Sequence, residues 1–158
     1  MKRFLMLLYC IPAVALPIAA AQAQDAYLIG VSAAMTGPVA AGYAPIVETM
    51  KAYLDHVNSK GGVNGKPVRL IILDDQAQPS RAATNAKKLV DQDKVLLLVN
   101  NSLSSTYAPM VAESKRANVP LFYAGGVCPP ETYPPADPLQ FCSTAYSANL
   151  DSEAMLDF

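Results

Sequence analysis

Three serines close together, Ser102, Ser104 and Ser105, come nearest to a nucleophile in this chain, and a hydrolase would pair one of them with a histidine and a carboxylate. The single histidine, His56, falls among polar neighbours on a stretch of helical periodicity, and no G-x-S-x-G turn surrounds the serines. An α/β hydrolase is therefore the weakest functional class open to the sequence. Metal ligation is equally poorly served. Cys128 and Cys142 are far apart, His56 is isolated, and the adjacent Asp74 and Asp75 would point to opposite faces of a strand. The glycine-rich run Gly61–Lys66 superficially resembles a phosphate loop. However, Pro67 stands where Ser or Thr is required, and the run follows a helical stretch and precedes a strand, the reverse of the phosphate-binding context. The first strand-like segment lacks G-x-G-x-x-G, so a dinucleotide fold has no fingerprint. The reading is a non-enzymatic protein with no cofactor and no metal.

The elements that must position these residues alternate between strand and helix periods. Tyr27–Ala33 reads as a first strand, broken by Thr36-Gly37-Pro38. From Tyr43 to Lys60, Val47, Met50, Leu54 and Val57 recur at helical spacing, and Gly61-Gly62 supplies the stop. Val68–Leu73 is a near-continuous apolar run ending in Asp74-Asp75, the pattern of a strand buried on both faces. Pro79-Ser80 opens a helix with Ala82, Ala86, Leu89 and Val90 inward, and Val95–Val99 reads as a third strand. Ser104–Ala117 returns as helix with Tyr107, Met110, Val111 and Ser114 along one side; Pro120–Tyr123 and Leu139–Cys142 are short strands. The fold class is α/β, an open parallel sheet with helices on both faces.

In such sheets ligands sit beyond the carboxyl ends of the strands. Three loops there are distinctive: Thr36-Gly37-Pro38, Asn100–Thr106 and Ala124–Val127. The second leads from a strand into a helix, so its N–H groups and the hydroxyls of Ser102, Ser104, Ser105 and Thr106 suit a carboxylate. Gly125 and Gly126 let a ligand approach the backbone closely. The competing reading is purely structural, with serines that cap the third helix and glycines that turn the chain.

The chain has 158 residues, 52% of them hydrophobic, with 12 basic against 13 acidic side chains. No basic run follows the first three positions, so nucleic acid is excluded as a partner. Lys2 and Arg3, the apolar stretch Phe4–Ile18 and Ala21-Gln22-Ala23 read as a signal peptide over residues 1–23, with Cys10 inside it. Export places Cys128 and Cys142 in an oxidising compartment, where a bridge between them is expected; two unpaired thiols are the alternative. The segment it would cinch holds Pro129, Pro130, Pro134, Pro135 and Pro138 and cannot be helix or central strand. Asn149–Glu153 resembles a helix start, with Asp151 as a possible N-cap, only two turns before Phe158. The expectation is a chain that is the front part of something longer.

An ordered series of motifs resembles the leucine/isoleucine/valine-binding branch of the periplasmic substrate-binding proteins of ABC transporters. It runs through Ile29-Gly30-Val31, Met35-Thr36-Gly37-Pro38, Val57-Asn58, Lys60–Lys66, Asp74-Asp75-Gln76, Ser104-Ser105-Thr106, Val119–Phe122 and Leu150-Asp151-Ser152. The resemblance implies a two-lobed clamp that traps a small solute and presents it to a membrane permease from the periplasm. On that plan residues 24–148 are the first lobe and 149–158 the start of the crossover to a second. It also implies that Ser102, Leu103, Ser104, Ser105 and Thr106 form one ligand-gripping loop and Gly125, Gly126 and Val127 the other, with Tyr43 approaching from the first helix. Leu103 and Val127 stand where amino-acid binders typically offer hydroxyls, which leaves a branched-chain amino acid and an aromatic or aliphatic carboxylate both open. A ligand-sensing receptor domain built on the same clamp is the alternative class.

Overall fold

Strands β1 (Tyr27–Ala33), β2 (Val68–Asp74), β3 (Leu97–Asn101), β4 (Leu121–Tyr123) and β5 (Gln140–Cys142) form one parallel sheet in the order β2-β1-β3-β4-β5. The structure is a computed structural model and describes residues 26–134 and 136–143. The expected signal peptide, Pro135 and the 149–158 crossover therefore lie outside the described residues. Helices α1 (Ala40–Ser59), α2 (Pro79–Asp91) and α3 (Tyr107–Ala117) make the crossovers, and the turn Ser104–Thr106 leading into α3 is 3-10.

In this strand order, crossovers of uniform hand put α1 on one face of the sheet and α2 and α3 on the other. The packing agrees. Val47 of α1 is buried with Val31, Ala33 and Val99. Ala82, Ala86, Leu89 and Val90 of α2 and Tyr107 and Met110 of α3 close over Leu98, Leu121 and Tyr123. Alternate strand residues supply the two cores, as the two-residue side-chain period requires. Each fully buried side chain of the Leu98 or Leu89 kind contributes about 1.5–3 kcal/mol through removal from water.

Three expectations shift. The third strand runs over Leu97–Asn101, not Val95–Val99: Asn100 and Asn101 stay in register opposite Ser32 and Ala33, while Val95 is buried ahead of the strand. Apolarity reports burial there, whereas backbone pairing defines the strand. β2 is an edge strand whose residues are mostly half-buried, and Arg69 is exposed, so its apolar run does not mean enclosure on both faces. Helix α1 begins at Ala40 rather than Tyr43 and carries Pro45, whose missing N–H removes one bond near the helix start.

Cys128 and Cys142 are joined by a disulfide that ties the segment after β4 to the end of β5, with Cα atoms 5.8 Å apart. Lys115 of α3 pairs with Asp137 at 2.8 Å and holds the same proline-rich segment from outside.

Candidate ligand-binding edge

All five strands point their carboxyl ends to one edge, and the strand order reverses between β1 and β3. The chain leaves β1 toward β2 on one side and β3 toward β4 on the other, so the loops diverge at this switch point and leave a crevice.

A buried carboxylate frames it. Asp75 accepts hydrogen bonds from the hydroxyls of Ser32 (2.8 Å) and Ser102 (2.7 Å) and from the N–H of Ala77 (2.8 Å), which joins the ends of β1, β2 and β3. Asp74 turns the other way, as adjacent strand residues must. It receives the N–H groups of Met35, Thr36 and Gln76 and the Thr36 hydroxyl. Desolvation works against the charge of Asp74, but the bonds from Thr36, Gln76 and Met35 outweigh it and hold the carboxyl below its usual range.

The residues singled out for ligand binding divide by exposure. Leu103, Ser104 and Ser105 are exposed on the turn that opens α3, and Gly126 and Val127 are exposed after β4. Ser102, Thr106 and Gly125 are buried. The Ser102 hydroxyl is engaged with Asp75, and that of Thr106 accepts from Asn100 Nδ2 at 2.8 Å and donates to the Leu103 carbonyl at 2.7 Å. These two side chains hold the turn in place and leave Leu103–Ser105 facing outward.

The structure brings the two loops and Tyr43 together. Tyr107, at the start of α3, directs its hydroxyl at the carbonyls of Val127 (3.0 Å) and Gly125 (3.3 Å). Burial, with a smaller contribution from Tyr43, pushes this phenol up to about 12, so it remains a donor at any physiological pH. Gly126 has φ of +86°, and a Cβ there would lie 2.8 Å from the Tyr107 hydroxyl and 3.8 Å from both the Tyr43 hydroxyl and the Ser102 carbonyl. The conformation and the close approach both require glycine. On the far side, Asn101 Nδ2 donates to the Tyr43 carbonyl at 2.8 Å, and the Ala124 N–H donates to the Asn100 carbonyl at 2.9 Å.

Sequence reasoning missed Ser32, Asp75 and Tyr107 as builders of this edge and placed Asn101 in its loop without a role. Their one sequence-level signal is polarity inside or beside an otherwise apolar element.

His56 sits in the last turn of α1, whose first turn lies at the ligand edge; 20 helical residues at about 1.5 Å each separate the two ends. No serine of the loop can use it as a base. What remains is a surface of N–H groups, hydroxyls and two apolar side chains, suited to holding a small polar molecule.

A profile of the family described as periplasmic binding protein matches residues 27–158. The chain belongs to this family. As a periplasmic binding protein it shares a fold and relatives that are substrate-binding proteins and not enzymes. It is 38% identical over 55 residues to an "Amino acid binding protein" of Pseudomonas aeruginosa, a match covering 35% of this chain and 15% of that one. It is 33% identical over 82 residues to the "Leu/Ile/Val-binding protein BraC3" of Rhizobium johnstonii, covering 52% and 22%. Among solved structures it resembles the branched-chain amino acid transporter substrate-binding protein LivJ of Streptococcus pneumoniae in complex with isoleucine. That likeness has a TM-score of 0.70 and 26% identity, over 78% of this chain and 34% of LivJ. This periplasmic binding protein thus spans 15% to 34% of the length of these relatives. Among its described residues no helix is long and apolar enough to cross a membrane.

Proposed function

We propose that this chain is the solute-binding component of an ABC importer, exported to the periplasm by residues 1–23, with a branched-chain amino acid or a related small carboxylate as solute and an inner-membrane permease as partner. The observation that carries the reading is the exposed turn Leu103–Ser105, set beside the Gly126–Val127 backbone at the switch point. First-turn N–H groups of a helix have no intrahelical acceptor and favour an anion. Ser104 and Ser105 receive the carboxylate, Tyr43 and the Gly125–Val127 backbone take the rest of the polar head, and Leu103 and Val127 meet the apolar body. Ser102 and Thr106 act through their main chain and by fixing the turn. The similarity to an amino acid binding protein, a Leu/Ile/Val-binding protein and LivJ supports the same reading. A second reading, an aromatic or aliphatic acid as solute, is favoured by the exposed apolar side chains of Leu103 and Val127.

Residues 24–148 serve in this reading as the first lobe of a clamp, and 149–158 lead toward the second. One lobe covers one side of a solute, whereas formed pockets enclose roughly 70–90% of a ligand's surface. Binding by this chain is therefore expected at about millimolar dissociation constants. A 15N NMR titration with leucine, isoleucine, valine and a set of aromatic and aliphatic carboxylates tests this. Saturable shifts should cluster at residues 36–37, 43, 103–106 and 125–127, and the double change Ser104→Ala with Ser105→Ala should weaken binding about tenfold. Shifts confined elsewhere, or no saturable response to any solute, would refute it.

A further inference from the structure

Tyr107 belongs to both candidate ligand loops. It is the first residue of α3, directly after the turn Ser104–Thr106, and its hydroxyl reaches the carbonyls of Val127 at 3.0 Å and Gly125 at 3.3 Å, 20 and 18 residues later. The ring is held firmly. It is 8% exposed, shares a core with Leu98, Met110 and Leu121, and tilts at 52° against Tyr123 with ring centroids 4.6 Å apart. Phenylalanine would fill the same core without the cost of burying a hydroxyl, so packing does not account for the oxygen. Among the described residues, the hydrogen-bond partners of that hydroxyl are the two loop carbonyls, which share its single hydrogen.

These bonds set which way the polar groups of the second loop face. A trans peptide holds its C=O and N–H on opposite sides of one plane. The Gly125 carbonyl is aimed at the buried phenol, so the N–H of the same peptide, that of Gly126, is aimed away from it, toward the exposed side of the loop. Among the described residues this N–H has no backbone acceptor. The contact also depends on the glycine: with φ of +86° and a Cβ position 2.8 Å from the phenol oxygen, any other residue at 126 would push the loop off Tyr107. A donor held in place before binding saves the ordering cost that a free loop would incur on meeting a solute.

We infer that Tyr107 is a positioning residue of the solute site: by drawing the Gly125 and Val127 carbonyls inward it fixes the Gly126 N–H outward as a donor to the solute, and it locks this loop to the turn that opens α3. Tyr107 acts from beneath the loop through its backbone. The inference rests on the solute-binding reading above and adds to it the residue that sets the orientation of the second loop.

The test compares Tyr107→Phe with Tyr123→Phe in the full chain. The second variant removes the hydroxyl of the other ring of the pair, which donates to Gln140 Oε1 at 2.6 Å and not to the loop. Residual dipolar couplings of the N–H vectors of residues 125–127, measured without solute, report their orientation directly. A 15N NMR titration with the tightest-binding of the solutes named above reports affinity. Tyr107→Phe should change the Gly126 coupling and weaken binding about tenfold, whereas Tyr123→Phe should leave both as in the wild type. Gly126→Ala displaces the same contact from the loop side and should also weaken binding; the double variant with Tyr107→Phe should bind no more weakly than the weaker single one, because both remove one interaction. An unchanged Gly126 coupling or an unchanged affinity in Tyr107→Phe, equal losses in the two tyrosine variants, or additive losses in the double variant would overturn the assignment and leave the solute-binding reading intact. No saturable response of the wild-type chain to any solute would bring both down.

Discussion

Asp75 is the residue on which the ligand edge depends, because one carboxylate answers three donors from three chain segments. Removing it leaves the Ser32 and Ser102 hydroxyls buried without an acceptor, a loss of about 1–3 kcal/mol for such groups. Asp75→Ala should therefore lower the unfolding free energy by about 3 kcal/mol in urea denaturation, and Asp75→Asn, which keeps an acceptor oxygen, by less. Identical losses for the two variants would show that the bonds to Asp75 do not matter. This role was invisible in the sequence. Asp74-Asp75 reads there as a polar strand end, and nothing local says that Ser32, 43 residues earlier, and Ser102, 27 residues later, converge on it. The serines illustrate the same limit: Ser102, Ser104 and Ser105 are alike as residues, and only the packed strand ends decide that the first turns inward and the other two outward.

Elements were the most legible level. The helical stripes of α2 and α3 coincide with the buried sets Ala82, Ala86, Leu89, Val90 and Tyr107, Met110, Ser114, because periodic apolar spacing and burial have the same cause. The proline-rich connection from β4 to β5 has no such period, and two cross-links hold it. The disulfide joins cysteines 14 positions apart and begins one residue beyond Val127, so it anchors the Ala124–Val127 loop as well as β5. Changing both cysteines to serine should cost about 3 kcal/mol in the chain-entropy account and broaden the NMR signals of residues 125–127. Sharp, unmoved signals there would confine its effect to β5. The second cross-link is electrostatic. The Lys115 ammonium, with help from the Leu139 N–H and the Gln140 amide, holds the Asp137 carboxyl down to about 2 from an ordinary 3.8. A lowered folded value means that this contact stabilises fully above the ordinary value and is lost as pH falls through about 2. An NMR pH titration should place Asp137 near that midpoint, and Lys115→Ala should move it upward toward the ordinary range. An unmoved midpoint would assign the shift to the backbone and Gln140 bonds instead.

For the whole molecule, the strand order makes a prediction of its own. β1 and β3 are interior to the sheet and enclosed by α1 on one face and α2 and α3 on the other, whereas β5 is a three-residue edge strand. Amide exchange should be slowest in β1 and β3 and markedly faster in β5, as local opening follows the loss of buried contacts. Uniform protection across the five strands would contradict this ordering. The alternation of strand and helix, the parallel α/β class and the placement of the loops Asn100–Thr106 and Ala124–Val127 after strands were all determined by the sequence, since hydrophobic period and turn residues act over a few neighbours. Only the tertiary structure decided that β2 is an edge, that Asn100 and Asn101 belong to β3, that the Ser102 hydroxyl is occupied by Asp75, and that Asn101 Oδ1 lies buried against Gly125 without a donor. Each of these depends on which distant segments share a strand end, and that is a property of sheet order and register, which no local pattern of residues contains.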